Sequence, residues 1–201
     1  VDGAARPRGL VLPVFATGTL RDEATLGVVE ENSKVSPGLR VEGDAVQTAA
    51  RRGSGTYAKI ETAMARLAEK NILFGAAVTV TDENIGTVLQ DDFAASLHGQ
   101  GCGLVVYVEY VPAEAGTERL ALNESQLQLL NRRSTALKQR FSDMVILSFP
   151  GDEAAMGGCL ASGRGFFHIN PKGGAEPCPF SPYAKYNLKD ASMKQVLASQ
   201  Y

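Results

Sequence analysis

The chain has 201 residues, 44% of them hydrophobic, which is enough to bury one substantial core with a small appendage. Its 20 basic and 22 acidic residues give a formal charge of −2 and are interspersed, so no basic field gathers phosphate backbones and nucleic acid is excluded as a partner. The longest apolar runs, Ile72 to Val80 and Gly103 to Val108, are strand-sized and far short of the roughly 20 residues that cross a bilayer, so no membrane span is expected.

The chain begins Val1-Asp2-Gly3, with neither an initiator methionine nor a secretion signal, and reads as cut from something longer. Leu10 to Ala16 is an apolar strand, followed by Thr19 to Glu31 at loosely helical spacing. Leu39 to Glu42 is a second short strand closed by Gly43. Tyr57 to Lys70 is the clearest helix, with Tyr57, Ile60, Met64 and Leu67 on one face and Thr56 placed to cap it. Leu73 to Thr81 is nearly all apolar and small, the pattern of a strand covered on both faces.

A helix over about Ile85 to His98 comes next, then the strand Leu104 to Val111. Asn123 and Gln126 form a capping box ahead of a Leu127, Leu130, Leu137 stripe, which predicts a helix to about Arg140 before the strand Met144 to Phe149. Five strands alternating with helices argue for right-handed βαβ units and a parallel sheet. From Gly151 onward Gly, Pro and short apolar pieces take over. Phe166 to Asn170 and Ala175 to Cys178 flank the turn Pro171-Lys172-Gly173-Gly174 and predict a hairpin, and Ser192 to Ser199 a closing helix. The domains expected are thus 1–150, an α/β body, and 151–201, a small tail.

Cys102, Cys159 and Cys178 are too few and too scattered for a secreted disulfide scaffold, which favours a reducing cytoplasm. No nucleophile elbow, P-loop or complete dinucleotide fingerprint occurs. Parallel α/β folds bind ligands at strand carboxyl ends, and here these ends carry Ala16-Thr17-Gly18-Thr19, Val41-Glu42-Gly43 and Thr79 to Asn84.

These segments resemble the radical S-adenosylmethionine (SAM) family. Ala16-Thr17-Gly18-Thr19 is similar to the Thr-Asn-Gly-Thr-like turn after the family's third strand, without its asparagine. Arg40-Val41-Glu42-Gly43 followed by Arg51-Arg52-Gly53-Ser54-Gly55-Thr56-Tyr57 looks like the family's fourth strand and helix start, with Arg40 where a serine is usual. Phe74 to Thr81 and Asn84 are similar to the strand that lies along SAM, and Cys159, Gly173 and Cys178 are spaced like the opening of a SPASM or twitch extension.

The resemblance covers about Leu10 to Ser199. It implies a partial (β/α) TIM-like barrel of parallel strands with a C-terminal β-hairpin extension, the body at 1–150 and the SPASM-like part at 151–201. It implies SAM contacts by Thr17, Gly18, Glu42, Arg52, Thr79, Thr81 and Asn84, and an auxiliary iron–sulfur cluster on Cys159 and Cys178.

The Cys-x3-Cys-x2-Cys loop that holds the family's 4Fe–4S cluster, and the Gly-Gly-Glu turn, have no counterpart in the sequence. Three closely spaced thiolates are required to leave one iron open to SAM, so the full-length relative would hold SAM and the cluster while this chain alone binds neither stably and does not cleave SAM. The expected partners are a peptide or small-molecule substrate and the missing N-terminal barrel portion. The alternative is a non-catalytic, degenerate barrel acting as a peptide-binding or partner protein.

The residues also admit plainer readings. Glu42 suits a turn at the surface, Arg52 an ion pair with Glu42 or Asp44, and Asn84 the N-cap of the next helix. Cys159 and Cys178 suit half-buried thiols beside stiff prolines, and His168 a structural role in the hairpin. Tyr107, Glu109 and Tyr110 could line a cleft or merely pack.

Overall fold

A computed structural model describes residues 12–16, 23–161 and 164–198. The chain divides into two compact units at Gly151/Asp152. The first holds β1 (Leu12–Ala16), α1 (Glu23–Glu31), β2 (Val35–Val41), α2 (Ala45–Arg52), α3 (Thr56–Glu69), β3 (Gly75–Val80), α4 (Ile85–Val88), α5 (Asp91–Gly99), β4 (Leu104–Glu109), α6 (Glu124–Arg140) and β5 (Val145–Phe149).

The five strands are parallel and lie in chain order, β1-β2-β3-β4-β5. Right-handed crossovers that always step in the same direction put every helix on one face, the arrangement of a (β/α) barrel segment rather than of a doubly wound sheet. Burial agrees. Leu39, Ala76, Val105 and Ile146 stand in one register row, Val41, Val78 and Tyr107 in the next, and all are at most 3% exposed. They pack on Ile60, Met64 and Leu67 of α3, Leu97 of α5, and Leu130 and Leu137 of α6. The opposite face carries Phe15, Arg40, Val145 and Leu147, all exposed.

The helices form where apolar residues recur at helical spacing. In α3 Ile60, Met64 and Leu67 are buried, and the helix ends where Asn71 takes a left-handed backbone, φ 53°, which asparagine tolerates. Gly55, not Thr56, occupies the cap position of α3, and the Thr56 hydroxyl donates to Arg52 O instead. The Asn123/Gln126 capping box of α6 forms as read.

Two local expectations change. The helix expected over 85–98 breaks at Leu89 and Gln90 because Gln90 is extended (ψ 149°) and starts α5. Arg133 of α6 donates to the freed Leu89 carbonyl and to Asp91. Tyr107 lines no cleft. It is fully buried on the helix-covered face, and its hydroxyl donates to Val88 O over 3.0 Å.

The second unit holds β6 (His168–Ile169), β7 (Gly174–Glu176), β8 (Tyr186–Asn187) and α7 (Met193–Ala198). The expected hairpin is present as β6 paired antiparallel with β7, and β8 adds a third strand. No helix among the described residues is long and apolar enough to cross a membrane.

Candidate functional site

Carboxyl ends of parallel strands gather loops and helix starts, and the polar residues of the first unit converge there, past β2 and β3. Gly43 turns the chain out of β2 with φ 127°, and a Cβ at this position would fall 2.0 Å from Gln47 Oε1. Asp44 then caps α2 by accepting from Gln47 N at 2.8 Å, while Gln47 Oε1 accepts from Asp44 N. This capping box starts a helix that sequence reading passed over, and it sets Gln47 and Arg51 one turn apart on the same face.

Glu42, expected to contact SAM or, on the plainer reading, to sit in a surface turn, is 2% exposed. A buried carboxylate costs several kcal/mol unless paired and hydrogen-bonded. Both oxygens are paired here: Arg51 Nη1 donates to Oε2 at 2.9 Å, and Arg52 donates to Oε1 through Nε at 2.7 Å and through Nη2. Two guanidinium groups on one carboxylate leave a surplus positive charge. Arg52 is largely enclosed, with a side chain 16% exposed, whereas that of Arg51 is 40% exposed and lies 5.6 Å from the Tyr110 ring centre. Arg51 is therefore the cation with donor groups to spare.

Asn84 makes no cap bond to α4. Its side chain ties two strands together: Nδ2 donates to Glu42 O at 3.0 Å and to Thr79 O at 2.8 Å, and Oδ1 accepts from Thr81 N at 2.8 Å. Buried and fully engaged, Asn84 sets the spacing of the β2 and β3 ends. Glu42, Gln47, Arg51, Thr81, Asn84 and Arg119 line a cavity of about 350 Å³, within the size range of small-molecule sites. Glu83, ion-paired to Arg119, also borders it.

Of the residues expected to meet SAM, Glu42, Thr81 and Asn84 border this cavity. Arg52 stands behind, on Glu42, and half-buried Thr79 belongs to the helix-free face of the sheet. Thr17 and Gly18 lie outside the described residues. Gln47, Arg51 and Arg119 were not singled out as ligand contacts. The Asp44-x-x-Gln47 pattern was the available signal for the first two, and nothing local marks Arg119.

The thiols do not fit an iron–sulfur cluster. Cys102 is buried, its thiol donates to Leu104 O, and burial pushes it up to about 11, so it stays protonated at neutral pH. Cys159 is exposed, and Cys178 Sγ accepts from Phe180 N. Among the described residues no group of three or more His, Cys, Asp and Glu is placed to hold a metal ion. His168 sits across from Glu176 in the β6–β7 pair, 4.0 Å away, and Glu176 also accepts from Asn170, a structural arrangement.

A sequential parallel sheet with its polar cluster at the strand carboxyl ends defines a partial (β/α)-barrel fold, and comparison with solved structures makes it specific. The structure matches anSMEcpe with bound AdoMet and Kp18Cys peptide at a TM-score of 0.70, with 16% sequence identity, covering 94% of this chain and 57% of that one. It matches Streptococcus suis SuiB bound to S-adenosylmethionine at 0.71, with 12% identity, covering 93% and 48%. SuiB bound to precursor peptide SuiA matches at 0.61, with 11% identity, covering 93% and 47%.

These are radical SAM enzymes, and this chain has their fold. It spans about half the length of these solved structures. No protein-family model and no curated protein matches the sequence.

Proposed function

We propose that this chain is the SAM-facing portion of a radical SAM enzyme that modifies peptides, with the body at 1–150 forming part of the barrel and 151–201 forming a reduced SPASM-like extension. The observation that carries this reading is the cavity beside β2 and β3, where Arg51 offers a half-exposed guanidinium backed by buried Glu42. Its lining suits the amino-acid end of SAM: Arg51 for the carboxylate, and the Thr81 and Asn84 loop beside it. Glu42 has both oxygens occupied by arginine, so its part is to hold Arg51 and Arg52 in place.

Fold similarity to enzymes solved with AdoMet and with peptides supports both the cofactor and the peptide partner. In the family, a 4Fe–4S cluster delivers the electron that cleaves SAM. The residues present do not fit that cluster, so on this reading the chain does not cleave SAM by itself, and the thiolates come from the missing N-terminal barrel portion. Cys159 and Cys178 supply at most half of an auxiliary site. A cytoplasmic setting suits three free thiols.

Calorimetry of SAM binding to the chain tests the reading. Weak but saturable binding is expected, because the chain holds only part of the SAM site, and it falls about tenfold or more in Arg51→Ala, the scale of one lost charge-assisted interaction. Absence of binding, or an unchanged affinity in Arg51→Ala, removes the assignment. Anaerobic reconstitution with iron and sulfide is a separate arm, and formation of 5′-deoxyadenosine there would refute the claim that the chain cannot act alone.

A further inference from the structure

The connection from β4 to α6 runs from Tyr110 to Asn123, well beyond the roughly two to six residues usual between a strand and its helix. It is held at two points on the chain that leaves β3: Tyr110 N donates to Val80 O at 3.1 Å, and Asp82 N donates to Leu120 O at 3.1 Å. The stretch between these points is thus a loop whose ends meet on either side of Thr81, the geometry of a compact Ω-loop. Residues 111–116 are exposed throughout, and the bonds that Thr117 N and Oγ1 donate to Glu114 O stay inside the loop. The loop closes on one 3-10 turn, Glu118–Leu120, which brings Arg119 and Leu120 to the cavity wall.

Helix α2 follows β2 and this loop follows β4, and those two strands flank β3. The two segments therefore reach the cavity from opposite sides, with Thr81, Glu83 and Asn84 between them. Their attachments differ in kind. On the α2 side Gln47 is fixed by its capping box and donates to Thr87 Oγ1 at 3.0 Å. On the loop side the tie is the ion pair of Arg119 with Glu83, whose side chains are 70% and 57% exposed.

An exposed ion pair contributes a factor of about five at most, and salt screens it. That is enough to bias where the loop rests and too little to hold it there permanently. Beyond the pair the chain is firmly anchored: Leu122 is buried, and Gln126 both closes the α6 capping box and donates to Asp82 Oδ1 at 2.6 Å. A parted ion pair therefore frees residues 111–120 without loosening α6.

We propose that residues 111–120 are a gate on the cavity, latched shut by Arg119 and Glu83 and hinged at Tyr110 and Ala121. Opening carries the 3-10 turn off the cavity wall and uncovers the Asp82 N–H. The latch governs how fast a ligand enters and leaves, while Arg51 and the loop of Thr81 and Asn84 set how tightly it is held. The proposal rests on the reading of this cavity as a SAM site and adds to it a salt-sensitive control of access.

The whole chain is compared with Arg119→Gln, Arg119→Lys and Glu83→Gln. All three alter exposed side chains and are expected to fold, which circular dichroism checks. Hydrogen exchange at the Asp82 amide, followed by NMR, is expected to speed about threefold in Arg119→Gln and Glu83→Gln, the scale of an exposed ion pair, and to stay near the parent rate in Arg119→Lys. The difference is expected to close in molar salt. Entry and exit are read from the line shape of SAM carrying carbon-13 in its S-methyl group. Both rates are expected to rise about threefold in the two Gln variants, with Kd changed by less than about twofold.

Unchanged exchange at Asp82, or a difference that persists in molar salt, overturns the proposal. So does a weakened Kd in which exit alone speeds up, because Arg119 or Glu83 would then be a ligand contact. Unchanged SAM rates beside faster exchange overturn it too, since the loop would then move without guarding the cavity. If the chain binds no SAM, the reading under Proposed function fails, and exchange at the Asp82 amide alone decides the latch.

Discussion

The two units are held together by different chemistry. In the first, strands of five to seven residues bury continuous apolar rows against helices, and stability is spread over a core that includes Leu39, Leu67, Val78 and Leu137. In the second, strands of two or three residues are set by asparagines. Asn170 Oδ1 accepts from Lys172 N and Gly174 N while its Nδ2 donates to Glu176, and Asn187 repeats the motif with Lys189 N and Lys172 O. Long-range burial therefore defines the body, and local side-chain-to-backbone bonds define the tail.

That contrast breaks most readily in the core. Leu67→Ala empties a site with no exposure, and a loss of about 2–5 kcal/mol is expected, read as a lowered denaturant midpoint. A loss below about 1 kcal/mol would mean that the body does not depend on continuous burial. Asn84→Ala is expected to cost about 2 kcal/mol, since it strands the Thr81 N–H and two carbonyls at the ends of β2 and β3. It should also weaken SAM binding, which a packing substitution of equal cost on α6 should not.

In the tail, Asn170→Ala is expected to cost about 1 kcal/mol and to speed hydrogen exchange at Lys172 and Gly174 while leaving the sheet of the body protected. Faster exchange in β3 as well would sink the claim that the two units are held separately.

The smallest effect concerns Glu109, whose carboxyl burial raises above its ordinary value of 4.5. A raised carboxyl favours the folded state fully below its unfolded value, and that advantage is lost as pH rises through the folded one. Glu109→Gln should therefore gain on the parent chain at neutral pH and lose that gain near pH 4, within about 0.5 kcal/mol because the group is only partly buried and solvent screens it. Thermal melts at both pH values would show it, and a gain confined to acid would reverse the sign argued here.

How much was legible in the sequence follows the same division between local and long-range causes. The five strands of the body stand out because β-rich apolar runs alternate with helical periodicity, and the α6 capping box is a local signal read directly from Asn123 and Gln126. The break between α4 and α5 was hidden because the carbonyl it frees is claimed by Arg133, more than forty residues away. Helix α2 was overlooked although Asp44 and Gln47 announce it, because a helix of eight residues is only about two turns long and its apolar positions are small. At the site, residue types were legible and so was one partnership, Arg52 with Glu42, which stood among the readings. Only the fold shows that Arg51 takes the other oxygen of Glu42 and faces the cavity.

Cys102 gives the molecule a built-in clock. Since its proton stays on sulfur while the core is closed, a thiol-alkylating reagent at neutral pH reaches it only when that core opens, whereas exposed Cys159 reacts at once. Cys178 is partly accessible as well, so the rate at which the last of three labels appears times the opening of the sheet without any added probe.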